Sequence, residues 1–127
     1  MPELTREEFE KALIKQNYQN YQKVRSGPGQ HKFVRTVEPY ELMVIVEDEQ
    51  AKRYKWWLQG LLCRPIPAYQ DIDRISAYSE TGETYDIEQF NEAVVRLAKH
   101  IQTEFIPKQI KEIQLPEELS DLLKKEK

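Results

Sequence analysis

"ELMVIVEDEQAKRYKWWLQGLLC" (residues 41–63) decides the fold, because two periodicities meet inside it. Glu41–Glu47 is a near-continuous β-rich run and reads as a strand covered on both faces. Beyond it the period changes. Ala51, Tyr54, Leu58, Leu61 and Leu62 fall on one face of a helix, Asp48 stands where a cap belongs, and acids gather where a helix dipole favours them. The stretch therefore reads as strand, then helix. Trp56 and Trp57 are adjacent and point about 100° apart on a helix, which leaves one of them at the edge of the apolar stripe or exposed.

Upstream, "HKFVRTV" alternates, with Phe33, Arg35 and Val37 on one face and Lys32, Val34 and Thr36 on the other. With "ELMVIVE" it forms a hairpin in which Pro39 stays out of the ladder. Before it, Thr5 and Glu8 have capping-box spacing and open a helix read from Thr5 to Arg25, closed by "SGPG". Downstream, "RPIPAYQ" reads as a loop. "DRISAYSETGETYDI" reads as a second hairpin, with a Thr81–Gly82 turn that sets Tyr78 opposite Tyr85. Asp86 then caps a helix with its stripe at Phe90, Val94, Leu97, Ile101 and Phe105, which Pro107 ends. Pro116 opens a short last helix. The expected architecture is α+β, a single domain over residues 1–127 in the order α-β-β-α-β-β-α-α, with 107–127 as a short C-terminal helical tail.

Composition narrows the function. The net charge of −3 draws the whole chain neither to nucleic acid nor to an anionic membrane, so any such binding must be local. No apolar run approaches the roughly 20 residues of a membrane span. The N-terminus has no signal-peptide h-region. The lone Cys63 excludes an internal disulfide and a Cys-rich metal site. A cytoplasmic protein is expected.

Chemistry is thin. His31 and His100 share no metal-binding spacing, so no metal ligand is assigned. No nucleophile elbow is present, and Cys63 reads as a core thiol. The acids Glu47, Asp48, Glu49, Asp71, Asp73, Glu80 and Glu83 cluster in expected caps, loops and turns, as solvated surface does. "SGPGQHK" lacks the Walker spacing and follows a helix instead of a strand. No catalytic residue and no cofactor are assigned.

One segment stands out: residues 11–37 hold no acid but contain Lys11, Lys15, Lys23, Arg25, Lys32 and Arg35. Tyr18, Tyr21 and several amides lie among them. Cations grip phosphates, aromatics stack on bases and amides read base edges, as in single-stranded nucleic-acid binding. A basic patch meets an acidic protein surface equally well, and an exposed Trp beside Lys52, Arg53 and Lys55 is a common protein-binding anchor. The candidate partner-binding residues are Lys15, Tyr18, Tyr21, Lys23, Arg25, His31, Lys32, Arg35, Trp56 and Trp57. The expected function is a small non-enzymatic binding or accessory protein acting through protein–protein or self-association. The alternative is single-stranded DNA or RNA binding.

"LMVIVEDEQAKRYKWWLQGLL" and "FNEAVVRLAKHIQTEFIPKQIKEIQLP" together resemble phage recombination accessory proteins of the NinB type. That family has a strand, a helix opening around a Gln with an aromatic a turn or two later, and a last helix running into a proline-containing tail. Gln50 and Trp57 stand at the matching positions. The resemblance covers under half of the chain. Ala51 follows Gln50, so the Arg-Ser and Gln-Asn that the family usually has at this place are absent there. The resemblance implies association with single-stranded DNA, and it marks Gln50, Lys52, Arg53 and Trp57.

Overall fold

A computed structural model describes residues 3–21, 27–51, 53–66, 71–109 and 113–125. The α+β class holds. A five-stranded antiparallel sheet in the order β1-β2-β3-β4-β5 carries helices α1, α2 and α3. The elements are α1 (Arg6–Lys15), β1 (Gln19–Asn20), β2 (Gln30–Val37), β3 (Tyr40–Glu47), β4 (Trp56–Ile66), β5 (Asp71–Gly82), α2 (Ile87–His100) and α3 (Glu117–Lys125). A π turn (Ile101–Phe105) and a 3-10 turn (Ile106–Lys108) containing Pro107 end the α2 run. No helix among the described residues is long and apolar enough to cross a membrane.

The central expectation, a helix over residues 51–62, is corrected: Trp56–Ile66 is a strand. β3 pairs with it from Val46 opposite Trp56 to Tyr40 opposite Leu62. "WWLQGLL" carries both periods. As a strand it sends Trp56, Leu58, Gly60 and Leu62 to the helix side, and all four are buried. β3 is a finished apolar strand with an open edge, and pairing along that edge outweighs the local helical pattern. The second hairpin changes as a consequence. Asp71–Gly82 is one strand paired with β4, bulged near Ala77, and no turn forms at Thr81–Gly82. Tyr78 packs on His100 and Tyr85 on Phe9, so the expected Tyr78–Tyr85 pair does not exist.

The first helix is also shorter than expected. Its capping box is present: the Glu8 N–H donates to Thr5 Oγ1 (3.2 Å) and the Thr5 N–H to Glu8 Oε1 (3.0 Å). It stops at Lys15 because Asn17 adopts φ 72°. The Tyr18 N–H reaches back to the Leu13 carbonyl (3.1 Å) and the Asn17 N–H to the Ile14 carbonyl (3.1 Å). Those are the two bonds of a Schellman cap, which Asn accommodates next best after Gly. Tyr18 then enters the core and Gln19–Asn20 joins the edge of β2.

The β2–β3 hairpin, the α2 stripe and the short last helix form as read. Asp86 caps α2 by accepting from the Glu88 N–H (2.9 Å) and the Gln89 N–H (3.3 Å). Phe90, Val94, Leu97 and Ile101 are buried, and Phe105 packs edge-on against Tyr40. Phe90 is the hub of the core, 5.7 Å from Phe9, 5.7 Å from Tyr18 and 5.3 Å from Trp56 between ring centroids. In α3, Leu119 is the buried anchor.

Two glycines mark close approaches. A Cβ at Gly60 would lie 2.8 Å from Leu97 Cδ1, so α2 rests directly on β4 there. At Gly82 a Cβ would lie 2.0 Å from the Trp56 ring, whose Nε1 donates to the Thr84 carbonyl (2.9 Å) and cannot swing aside. Gly82→Ala is expected to cost about 3 kcal/mol and Gly60→Ala about 1 kcal/mol, since the Leu97 methyl turns more easily than a fixed indole. Urea unfolding at neutral pH measures both.

Candidate interaction surface

Strand register assigns the sheet faces. Phe33, Val44 and Leu58 stand opposite one another on the helix side. α1, α2 and α3 all add residues to that core, through Phe9, Phe90 and Leu119. The other face carries three rows of side chains. Lys32, Ile45, Trp57 and Thr81 form one, and Val34, Met43, Gln59 and Ser79 the next. Thr36, Glu41, Leu61 and Ser76 form the third. Val34, Ile45 and Leu61 are buried among their neighbours, while Met43 and Trp57 are half-exposed above them. Lys32 and Glu41 flank this apolar centre on opposite sides of the middle row, and Arg74 Nε approaches Glu41 at 3.6 Å.

Two of the sequence-derived candidates, Lys32 and Trp57, thus meet on one face, either side of Ile45. The others separate. Trp56 and Tyr18 are core residues (2% exposed each), and burial pushes the Tyr18 hydroxyl up to about 12, so neither ring is offered to a partner. Arg35 faces the helices and pairs with Glu118 (2.7 Å). His31 lies between Asp48 and Glu10. Lys15 and Tyr21 are exposed, at the end of α1 and just after β1. Lys23 and Arg25, with Lys52, lie outside the described residues. Among the described residues the acid-free segment is therefore not one cationic surface: Lys32 and Arg35 lie on opposite faces of the sheet, and Glu118 of α3 comes to Arg35.

At the end of the sheet nearest Trp57, a polar cleft of about 880 Å³ opens between Arg6, Glu47, Asp48, Arg53, Lys55 and Tyr85. Glu47, expected as a solvated acid, is 1% exposed. It accepts from the Arg53 guanidinium (2.9 Å), the Tyr54 N–H (3.0 Å) and the Gln30 amide (3.2 Å), while Tyr85 Oη donates to its main-chain carbonyl. Burial by itself would raise this carboxyl. The Tyr54 N–H, Arg53 and Gln30 outweigh it and hold Glu47 below the usual carboxylate range. Lys55 Nζ sits 4.8 Å from the centre of the Tyr85 ring, a cation–π contact. Nothing in "VIVEDE" distinguishes Glu47 from its neighbours; only its position as the last paired residue of β3 does so.

Other reactive groups are quiet. Cys63 lies on β4 instead of at a helix end, half-buried, its thiol raised by burial and by Glu41. A raised thiol is a poor nucleophile at neutral pH. Among the described residues no group of three or more His, Cys, Asp or Glu is placed to hold a metal ion. Compared with known proteins, the chain matches no family model, no curated protein and no solved structure.

Glu47→Ala is expected to cost about 3 kcal/mol, because it strands the Tyr54 N–H and takes the Arg53 guanidinium's carboxylate away, and Arg53→Ala about 1 kcal/mol. The pH sign follows from the lowered carboxyl. Glu47 contributes its stability above the unfolded carboxylate value of about 4.3 and loses it as pH falls through the folded value. Glu47→Gln should therefore flatten the acid limb of a stability-against-pH curve.

Proposed function

We propose that this chain is an association module that pairs with a second copy of itself through the helix-free face of its sheet. The observation that carries the reading is Trp57 and Met43, half-exposed over Ile45, Val34 and Leu61 on a face that no helix among the described residues covers. A sheet needs apolar residues on a face only where something packs on it. Large side chains seated over a desolvated floor are what association hot spots consist of.

The pattern is self-complementary. A two-fold axis lying along the Val34–Met43–Gln59–Ser79 row exchanges the rows on either side. It lays Trp57 of each copy over Leu61 of the other and Lys32 over Thr36, one strand from Glu41. An apolar centre bounded by one cation and one anion fits its own copy, whereas nucleic acid calls for a face of one sign. The single-stranded nucleic-acid reading keeps Lys32 and the exposed Lys15 and Tyr21 but has Tyr18 in the core and Arg35 on Glu118, while Lys23 and Arg25 lie outside the described residues.

Sedimentation velocity from low micromolar to near-millimolar protein tests this. Wild type should pass from monomer to dimer with little salt dependence, and Trp57→Ser should weaken the dimer at least about tenfold, or 1.4 kcal/mol. Lys32→Glu should weaken it as well, and adding Glu41→Lys should restore it. A monomer at every concentration overturns the proposal. In a parallel arm, single-stranded DNA bound with steep salt dependence would move the function to the nucleic-acid reading.

A further inference from the structure

Where α1 crosses the end of the sheet, one imidazole stands between two carboxylates. His31 Nε2 lies 3.0 Å from Asp48 Oδ2, and His31 Nδ1 lies 3.6 Å from Glu10 Oε2. Among the described residues the facing groups are few. From α1, Arg6 shares the same Glu10 oxygen at 2.5 Å. From the β3–β4 loop, Asp48 Oδ1 accepts the Gln50 N–H (2.8 Å). Behind them stands Tyr85, whose hydroxyl is raised by burial and lies within the fields of Arg6, Asp48, Glu10 and Glu3. Lys32 and Gln30, the neighbours of His31 on β2, belong to the opposite face of the sheet.

A carboxylate only accepts hydrogen bonds. A neutral imidazole has one N–H and one lone pair, and an imidazolium has two N–H groups. Only the protonated ring turns an N–H toward each carboxylate, adding its charge beside Glu10 to that of Arg6. The charges agree: protonated His31 and Arg6 balance Glu10 and Asp48, and deprotonation leaves one negative charge in excess. Both ring nitrogens face protein carboxylates, so neither is free to take a proton from a substrate. The Asp48 carboxyl is held low, first by the His31 hydrogen bond and then by the Gln50 N–H, and stays ionised throughout the range where an imidazole titrates.

We propose that Glu10–His31–Asp48 is a proton-operated clasp, closing α1 onto the β3–β4 loop when His31 is protonated and releasing the Glu10 arm when it is not. The arm lengths select which one opens. The single proton of the neutral ring stays on Nε2 with the nearer Asp48, and Nδ1 then turns a lone pair toward Glu10. The clasp spans the polar cleft, whose walls are Arg6 of α1 on one side and Asp48, Gln50 and Arg53 of the loop on the other. The device is independent of the sheet-face association.

The test is an NMR titration of the wild-type chain, following both histidine rings with the amides of Glu10 and Gln50. The Glu10 amide should shift with the same midpoint as the His31 ring, and α1 amides should exchange with solvent at least threefold faster above it. The Gln50 amide should move less, since Asp48 keeps its partner. His31→Gln should remove the step and His100→Gln should leave it. If the His31 ring titrates while α1 stays flat, or the step persists in His31→Gln, the clasp is refuted. The wild-type titration reads the coupling directly, so the outcome does not depend on the variant folding.

Discussion

Phe90 is the contact on which the rest depends. Its ring meets Phe9 of α1, Tyr18 of the segment after α1 and Trp56 of β4, each edge-on or nearly so. Such pairs add to the gain from burial, about 1 kcal/mol each. Three elements distant in the chain are set by one side chain. α1 cannot lie elsewhere without losing Phe9, and the chain cannot continue α1 past Lys15 without pulling Tyr18 out of this cluster. Trp56 in turn fixes Gly82 beneath its indole, and with it the end of β5.

That arrangement also explains what the surface presents. With α1, α2 and α3 drawn to the Phe90 side, the other face of the sheet is, among the described residues, left to its own side chains. The alternation of β4 then divides the tryptophan pair: Trp56 is the core anchor and Trp57 its counterpart on the helix-free face. The loop from Asp48 to Lys55 does not enter the core. It closes over Glu47 instead, using Arg53 and the Tyr54 N–H to satisfy a carboxylate that the sheet has buried. A buried carboxylate with three donors tends to hold a loop in one conformation. Here it forms one wall of the cleft.

Much of the architecture is legible in order along the chain. The capping box at Thr5 and Glu8, the β2–β3 alternation, the Asp86 cap and the stripe from Phe90 to Ile101 each rest on interactions between residues near in sequence, and each forms as read. Three readings fail for a shared reason. The helix end at Asn17, the strand at Trp56–Ile66 and the burial of Glu47 are completed by partners outside a short window: Phe90 draws in Tyr18, β3 pairs with β4, and Gln30 of β2 joins the nearby Arg53 on Glu47. Of the candidate residues, Lys32 and Trp57 meet on one face because both neighbour Ile45 across strands that the sequence does not register.

The sequence by itself determined the α+β class, the capped helices and the hairpin, since caps and alternating faces are local free-energy preferences that a short window contains. Only the tertiary structure decided that "WWLQGLL" is a strand. Its helical and extended patterns are nearly balanced locally, and the open edge of β3 supplies the ladder that breaks the tie. The same pairing decided which tryptophan is core and which is surface, because a strand sends adjacent side chains to opposite faces, whereas a helix would have kept both near one side.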